Sequence, residues 1–384
     1  MNDFSNIVWR ESDVEQSARW HSEKNIPPPK RIQVIDDTIT ANDAYRLACE
    51  GTGLLWRGDF QNARQLLNAI AKRIDKKNAK KPAVAVTSRE TFNLYRQAQS
   101  QRARTLDKLL IPFEADHRIP LRRAPDVHSA CTQVYGENHE PYVISLRELL
   151  GLIGAHEWRK KGVDIAVLNG KIHPHYGVFA PIRQEYLQLI AETPLPSTIT
   201  EDFTAFDIGT GTGVIAALLA QQKIQHIIAT DQDSRSVDCA RENIARLGLQ
   251  KQVQIVQCDL FPKQQQADLI VCNPPWIPAR PSSPLEHAIY DLDNRMLSGF
   301  LNNVGNFLKP KGEAWLIMSD FAEQLGLRTQ DQLVKMIKEA GLNIVEKRDI
   351  KPSHPRSSDT SDPLYAARKS EVVSLWRFNI ETKN

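Results

Sequence analysis

From residue 203 onward the chain alternates short apolar runs with longer stretches of helical period. The runs at 203–208, 226–230, 253–257, 268–272, 313–319, 343–350 and 370–379 read as strands, and 213–221, 234–247, 295–308 and 329–340 read as helices. Strands rich in Val, Ile, Leu and Phe and joined through helices belong in a largely parallel sheet covered on both faces. The pattern therefore predicts an α/β fold with seven strands, and a ligand beyond the carboxyl ends of those strands.

The pattern upstream is different. Residues 1–35 are polar and end in "IPPPKR", where three prolines rule out helix, so they read as a lead-in arm. Residues 41–75 show two helical runs split by Gly51-Thr52-Gly53 and Gly58-Asp59, with Leu66, Leu67, Ile70 and Ile74 on one face of the second. "RIDKKNAKKPA" closes that helix with basic residues and a Pro stop. A further helix is expected over "SRETFNLYRQAQSQRARTLDKLL", followed by the irregular, basic "IPFEADHRIPLRRAPDVHSA", either a nucleic-acid-facing loop or an ordinary surface loop. A turn and amphipathic helix, "HPHYGVFAPIRQEYLQLI", then precedes a linker, "TPLPSTIT". Three zones result: an arm (1–35), a largely helical, basic domain (36–172) and the α/β domain (173–384).

Charge sharpens this division. The chain carries only +3 net, but residues 1–172 hold 27 Lys+Arg against 21 Asp+Glu, and residues 64–123 hold 15 against 5. A local excess of +10 is a candidate footprint for a polyanion such as RNA, although a solvated helix face would look the same. No stretch approaches the ~18 apolar residues of a membrane span. The N-terminus lacks the basic-then-apolar pattern of a secretory signal, so the cytoplasm is the expected compartment. Five scattered cysteines without a CxxC pair read as free thiols. His173 and His175, two apart in a Pro-containing turn, are weak evidence for a metal, and none is expected.

The chemistry concentrates at the strand ends. The first ends in Asp207-Ile208-Gly209-Thr210-Gly211-Thr212-Gly213, where alternate glycines let the backbone turn sharply and approach a ligand. The spacing is GxGxG, whereas the dinucleotide fingerprint is GxGxxG, and Asp207 suits a cationic ligand part better than a pyrophosphate. A nicotinamide-dependent oxidoreductase nevertheless remains an alternative, as does a non-catalytic RNA-binding protein. Asp231 ends the second strand, Asp259 follows the third, and the fourth runs into "CNPPW". Each acid alone could be a helix cap. Prolines 274 and 275 cannot continue a central strand, so they stop it in a stiff turn that presents Asn273 and Trp276 together.

From Asp207 onward these residues resemble the class I S-adenosylmethionine-dependent methyltransferases. More narrowly, "FDIGTGTGVIAALLA", "ATDQDSRSVDCARENIARL", "CDLF", "ADLIVCNPPWIP", "EHAIYD" and "EVVSLWRF" are similar to the release-factor glutamine methyltransferases (the HemK/PrmC group) and to the small-domain amino-methyltransferases of rRNA and DNA. The resemblance covers about 206–378. It implies a Rossmann-like sheet whose last two strands form an antiparallel hairpin, and S-adenosylmethionine as cofactor. It also implies transfer of a methyl group to an exocyclic amine or amide nitrogen of a macromolecule, with RNA preferred and protein glutamine the alternative. By resemblance, Gly209, Thr210, Gly211, Thr212 and Gly213 would cradle the methionine part, with Asp207 near its amino group. Asp231, with Gln232 beside it, would hold the ribose hydroxyls, and Asp259 the adenine amine with Leu260 on the ring. Asn273, Pro274, Pro275 and Trp276 would form the catalytic turn, aligning and stacking the flat acceptor.

Two departures bear on the substrate. Trp276 stands where glutamine methyltransferases carry Tyr, and "YGVFAPIRQEYLQLI" is closer to the lead-in of ribosomal-RNA guanine methyltransferases. That lead-in would bring Phe179 to the cofactor cleft and Arg183 to the substrate. The polar loop at 351–370 reads as mobile or as a substrate-facing lid.

Overall fold

A computed structural model describes residues 5–79, 87–196, 202–352 and 358–380. The chain divides into two units, one of residues 1–86 and 93–157, the other of 87–92 and 158–384.

In the first unit the three expected helices are present as α1 (Ala41–Cys49), α2 (Phe60–Ala79) and α3 (Ser88–Leu106, whose first turn groups with the second unit), and two helices that the sequence reading did not assign follow, α4 (His128–Tyr135) and α5 (Leu146–Lys161, whose last turn groups with the second unit). They accompany a six-stranded mixed sheet that the helical reading did not anticipate. Its strands are β1 (Asn6–Glu11), β2 (Val14–Trp20), β3 (Ile32–Ile35), β4 (Gly53–Trp56), β5 (Leu109–Phe113) and β6 (Tyr142–Ser145), in the order β1-β2-β6-β5-β4-β3. About half of the presumed arm is thus strand. β1 and β2 form a hairpin through Ser12 and Asp13, both at positive φ as a two-residue turn demands. Ile7 and Trp9 alternate inward to join Trp20, Leu55, Leu110 and Val143 in the core. β4, β5 and β6 are buried on both faces, so "GLLW" and "LLIPF" show no alternation that separates them from helix. Lys80, Lys81 and Pro82, read above as the close of α2, lie outside the described residues, as do residues 197–200 of the linker and 353–357 of the later loop.

The second unit follows the expected alternation closely. It opens on a small β7 (Val163–Ile165) and β8 (Gly170–Ile172) pair and α6 (Glu185–Glu192). β9 (Thr204–Ile208), α7 (Val214–Gln221), β10 (His226–Asp231), α8 (Ser234–Arg246), β11 (Val253–Gln257) and β12 (Ala267–Cys272) come next. α9 (Arg295–Phe307), β13 (Leu308–Ser319), α10 (Phe321–Gln324), α11 (Gln330–Glu339), β14 (Leu342–Ile350), α12 (Tyr365–Ser370) and β15 (Val373–Ile380) complete it. The seven-stranded sheet has the order β11-β10-β9-β12-β13-β15-β14, parallel through β13, with β15 antiparallel to both β13 and β14.

The period of two along β9 decides what the site receives. Phe206 and Ile208 pack on one face with Leu297, Phe300 and Leu301 of α9, whereas Ala205 packs on the other with α6 and α7. Asp207 shares the parity of Ala205, so its carboxylate enters the layer under α7. Every residue of α7 from Val214 to Ala220 is buried, which marks a helix sunk in the core and explains the absence of polar spacing in "VIAALLA".

Candidate active site

The four strands β11, β10, β9 and β12 are neighbours, and Asp259, Asp231, Asp207 and Asn273 stand at or just past their carboxyl ends. The register puts Asp207 opposite Ala229 of β10 and Val271 of β12. One rim therefore collects the residues singled out from the sequence.

Asp207 is fully buried, and its Oδ2 accepts from the Thr210 hydroxyl (2.6 Å) and the Ala216 N–H (3.1 Å). These bonds tie the glycine loop to the first turn of α7. Its Oδ1 is buried with no hydrogen-bond partner. Loss of solvation lifts the carboxyl to about 7, against the pull of the two donors and with a push from Asp231. Asp207 acts from behind the loop, not on its open side.

The loop turns back toward β10. Thr210 N–H donates to the Thr230 carbonyl (2.8 Å), and Gly211 N–H to Asp231 Oδ2 (3.0 Å). Asp231 Oδ1 accepts from Asp233 N–H (3.0 Å), and burial pushes this carboxyl up as well. Gly211 has φ +54° and a Cβ there would meet nothing within 4 Å, so its bare backbone borders open space. Gly209 is bare for the opposite reason: a Cβ would stand 2.5 Å from Met296 Cε. Thr212 is buried, its carbonyl accepting from Asn243 Nδ2 (3.1 Å), and Gly213 begins α7 at φ +82°.

Around the third strand end, Asp259 and Gln232 are exposed, and the Gln232 carbonyl accepts from Gln257 Nε2 (3.1 Å). Leu260 is half-buried at φ +60°, unusual for a branched side chain, and its carbonyl accepts from the Thr230 hydroxyl (2.6 Å). Phe179 is 37% exposed. His173 Nδ1 and His175 Nε2 pair with the Arg159 carbonyl (2.6 Å) and Glu242 (3.1 Å), which gives both rings structural partners.

In the turn after β12, Trp276 Nε1 donates to Asn273 Oδ1 (2.9 Å), fixing indole and carboxamide to one another across the two prolines. The chain continues as a bridge of Ile277 to Tyr290, and Asp291 then caps α9 by accepting from Met296 and Leu297 N–H (both 3.0 Å). The catalytic-looking turn is thereby linked to the helix whose Met296 lies against Gly209. The sequence reading named no role for Asp291. Its signal was available as an acid just ahead of a helical run.

Arg183 does not reach out as a free cation. Its guanidinium lies over the Trp276 ring, 5.3 Å from the centroid, and pairs with Glu185 (2.5 Å) and Glu371 (3.1 Å). Glu371, which also accepts from the Ser319 hydroxyl (2.7 Å), was missed, because 188 residues separate it from Arg183 and no local pattern marks it.

Residues 169–341 match the family model described as Methyltransferase small domain. A bifunctional methyltransferase of Rickettsia felis is 26% identical over 172 residues, covering 41% of this chain and 31% of the relative. A tRNA1(Val) (adenine(37)-N6)-methyltransferase of Cytophaga hutchinsonii is 29% identical over 130 residues, covering 32% and 55%. A release factor glutamine methyltransferase of Cereibacter sphaeroides is 40% identical over 88 residues, covering 22% and 32%. The chain spans less than two thirds of the length of each of these relatives. The nicotinamide alternative finds no support among these matches. With the strand order, the glycine loop and the acidic rim already in place, these matches make the second unit similar to the methyltransferase small domain over residues 169–341.

Proposed function

We propose that this chain transfers a methyl group from S-adenosylmethionine to an exocyclic amine or amide nitrogen of a macromolecule, with RNA as the preferred substrate. The observation that carries the reading is the locked pair of Asn273 and Trp276 at the end of β12, next to the strand that bears Asp207 and the glycine loop.

The residues present fit the cofactor. Open space at Gly211 and the acids 231 and 259 on the same rim suit a ligand with amine and hydroxyl groups, while Asp207 holds the loop from behind. When bound, the cofactor supplies an electrophilic methyl group. Asp231, already oriented by two backbone N–H groups, has acceptor capacity left for hydroxyls. A planar amine has a delocalised lone pair and is a poor nucleophile. The Asn273 oxygen and the Pro274 carbonyl can accept its two N–H bonds, favouring the more tetrahedral, charge-bearing transition state. Trp276 sets the plane of the acceptor, and alignment of this kind lowers the barrier of a displacement.

The preference for RNA rests on the basic stretch 64–123, which includes exposed Lys72, Lys76, Lys77, Arg118, Arg122 and Arg123. It also rests on the relatives named as RNA adenine-N6 methyltransferases. Protein glutamine is the second reading, favoured by the 40% identity to a release factor glutamine methyltransferase. Incubation of the purified chain with labelled S-adenosylmethionine and either unmodified bulk RNA or release factor distinguishes them. Label in RNA alone supports the proposal, and label in the protein alone moves the substrate to glutamine.

A further inference from the structure

We infer that Arg183 is a positioning residue for the methyl acceptor: clamped between Glu185 and Glu371, it fixes the plane of the Trp276 indole and takes one face of that ring out of the acceptor's reach. The role rests on the N-methyl transfer proposed above.

Three observations carry it. The guanidinium lies over the ring at 5.3 Å, the distance of a cation–π contact, while the indole N–H is held by Asn273 Oδ1 at 2.9 Å. Face and edge of the ring are thus fixed by different partners. The two carboxylates of the clamp are largely buried, with side-chain exposures of 8% for Glu185 and 4% for Glu371, and Arg183 between them is half-buried at 22%. Burying three ionic groups together is costly in solvation and is weak support for stability alone. Finally, Nη2 of Arg183 is buried with no hydrogen-bond partner. The orientation is set by stacking on Trp276 and by the two carboxylates, not by completion of the guanidinium's own bonds.

The arrangement has a chemical consequence. A cation on one face draws π density toward itself, so the ring becomes a poorer partner for a second cation and a better platform for a neutral, flat group. Neutral nucleobases and carboxamides meet that condition, and ammonium side chains do not. Glu371 also connects the acceptor site to the end of the loop before β15, since it follows α12 directly and binds Ser319 at the end of β13.

The test compares Arg183→Gln and Arg183→Lys with the wild-type chain. Binding of S-adenosylhomocysteine is read by calorimetry, kcat and KM are read on the RNA acceptor, and Trp276 emission is taken as the difference from Trp276→Phe. The expected result is cofactor-product affinity within about threefold of wild type and kcat lower by roughly tenfold to hundredfold, the scale of a misplaced reacting group. The acceptor KM should move less than kcat, the Trp276 emission should become more quenchable by acrylamide, and Lys should restore part of the rate. Wild-type kcat and unchanged Trp276 quenching in Arg183→Gln would overturn the inference. If the lone carboxylates prevent that variant from folding, Arg183→Met combined with Glu185→Gln and Glu371→Gln removes the charges together and carries the same expectations. A wild-type chain that binds S-adenosylhomocysteine but methylates neither RNA nor protein would refute the proposed function, while the quenching comparison would still decide whether Arg183 holds the indole.

Discussion

Replacing Asp207 with Asn should change how stability depends on pH, in a direction the structure fixes. The carboxyl is fully buried and lies at about 7 instead of its ordinary 3.8, a rise of about three units. At ~1.4 kcal/mol per unit, keeping it ionised in the folded chain costs on the order of 4 kcal/mol. Because the folded value is raised, the stability that this group contributes is fully present below about pH 4, is lost between pH 4 and 7, and levels off above 7. Asn cannot ionise and loses none of this. Its amide oxygen can still accept from Thr210 and Ala216, but its NH2 meets a site where Oδ1 now has no partner, a penalty of ~1–3 kcal/mol at every pH. The variant should therefore be the less stable chain at pH 4.5 and equal or more stable at pH 8. Urea unfolding at half-unit pH steps, followed by hydrogen exchange of peptides from α7, measures the difference where the buried group sits. A gap between the two chains that stays constant from pH 4.5 to 8 would refute the assignment of a buried, raised carboxyl to Asp207.

The same titration couples to ligand binding. A ligand ammonium group favours ionised carboxylates on this rim, so calorimetry should find S-adenosylhomocysteine, whose amino group is protonated in this range, binding more tightly as pH rises from 5.5 to 7.5. The slope should be smaller in Asp207→Asn. Asn273→Ala removes an acceptor that matters most in the transition state, and kcat should fall by about 10²–10³ while S-adenosylhomocysteine affinity changes only a few-fold. An equal loss in affinity and in kcat would place Asn273 in the cofactor site alone. Asp291→Ala frees two N–H groups at the start of α9 and should cost ~1 kcal/mol, with faster exchange at Met296 and Leu297 as the local signature.

Legibility in the sequence tracked the range of the interactions. In the second unit, element ends were readable to within a few residues because the runs are long and the caps local, as with Asp233 accepting from Arg235 N–H ahead of α8. The exceptions are informative. β13 begins at Leu308, ahead of the expected 313, since Lys309 and Gly312 masked an extended segment. β15 begins at Val373 because Tyr365–Ser370 forms a short helix first. The first unit's sheet was missed chiefly because four- and five-residue strands buried on both faces carry no period, although Ile7 and Trp9 alternate visibly in β1. The acidic rim could be read because each member closes a strand. The Arg183 clamp could not, because nothing short of the folded sheet brings residues 183, 276 and 371 together.

What the rim residues share is cost, and that is an argument about purpose. Asp207 places a carboxylate in the layer under a fully apolar helix and leaves one oxygen without a partner. Leu260 holds a left-handed φ of +60°, where Gly or Asn would sit more easily, and keeps its carbonyl on the Thr230 hydroxyl. Arg183 buries a donor unpaired beside two buried acids. Each feature lowers stability on the order of one to a few kcal/mol, and a sheet of this topology needs none of them to fold. Most of the seven-stranded sheet obeys the ordinary rules of burial and pairing. Left-handed φ and unpartnered buried atoms also occur elsewhere in the unit, at Lys223, Lys311, Gln222 and Arg328 among others, but on the glycine loop, the end of the third strand and the Trp276 turn they stand beside the acidic rim, as expected where a preorganised site is held against its own cost.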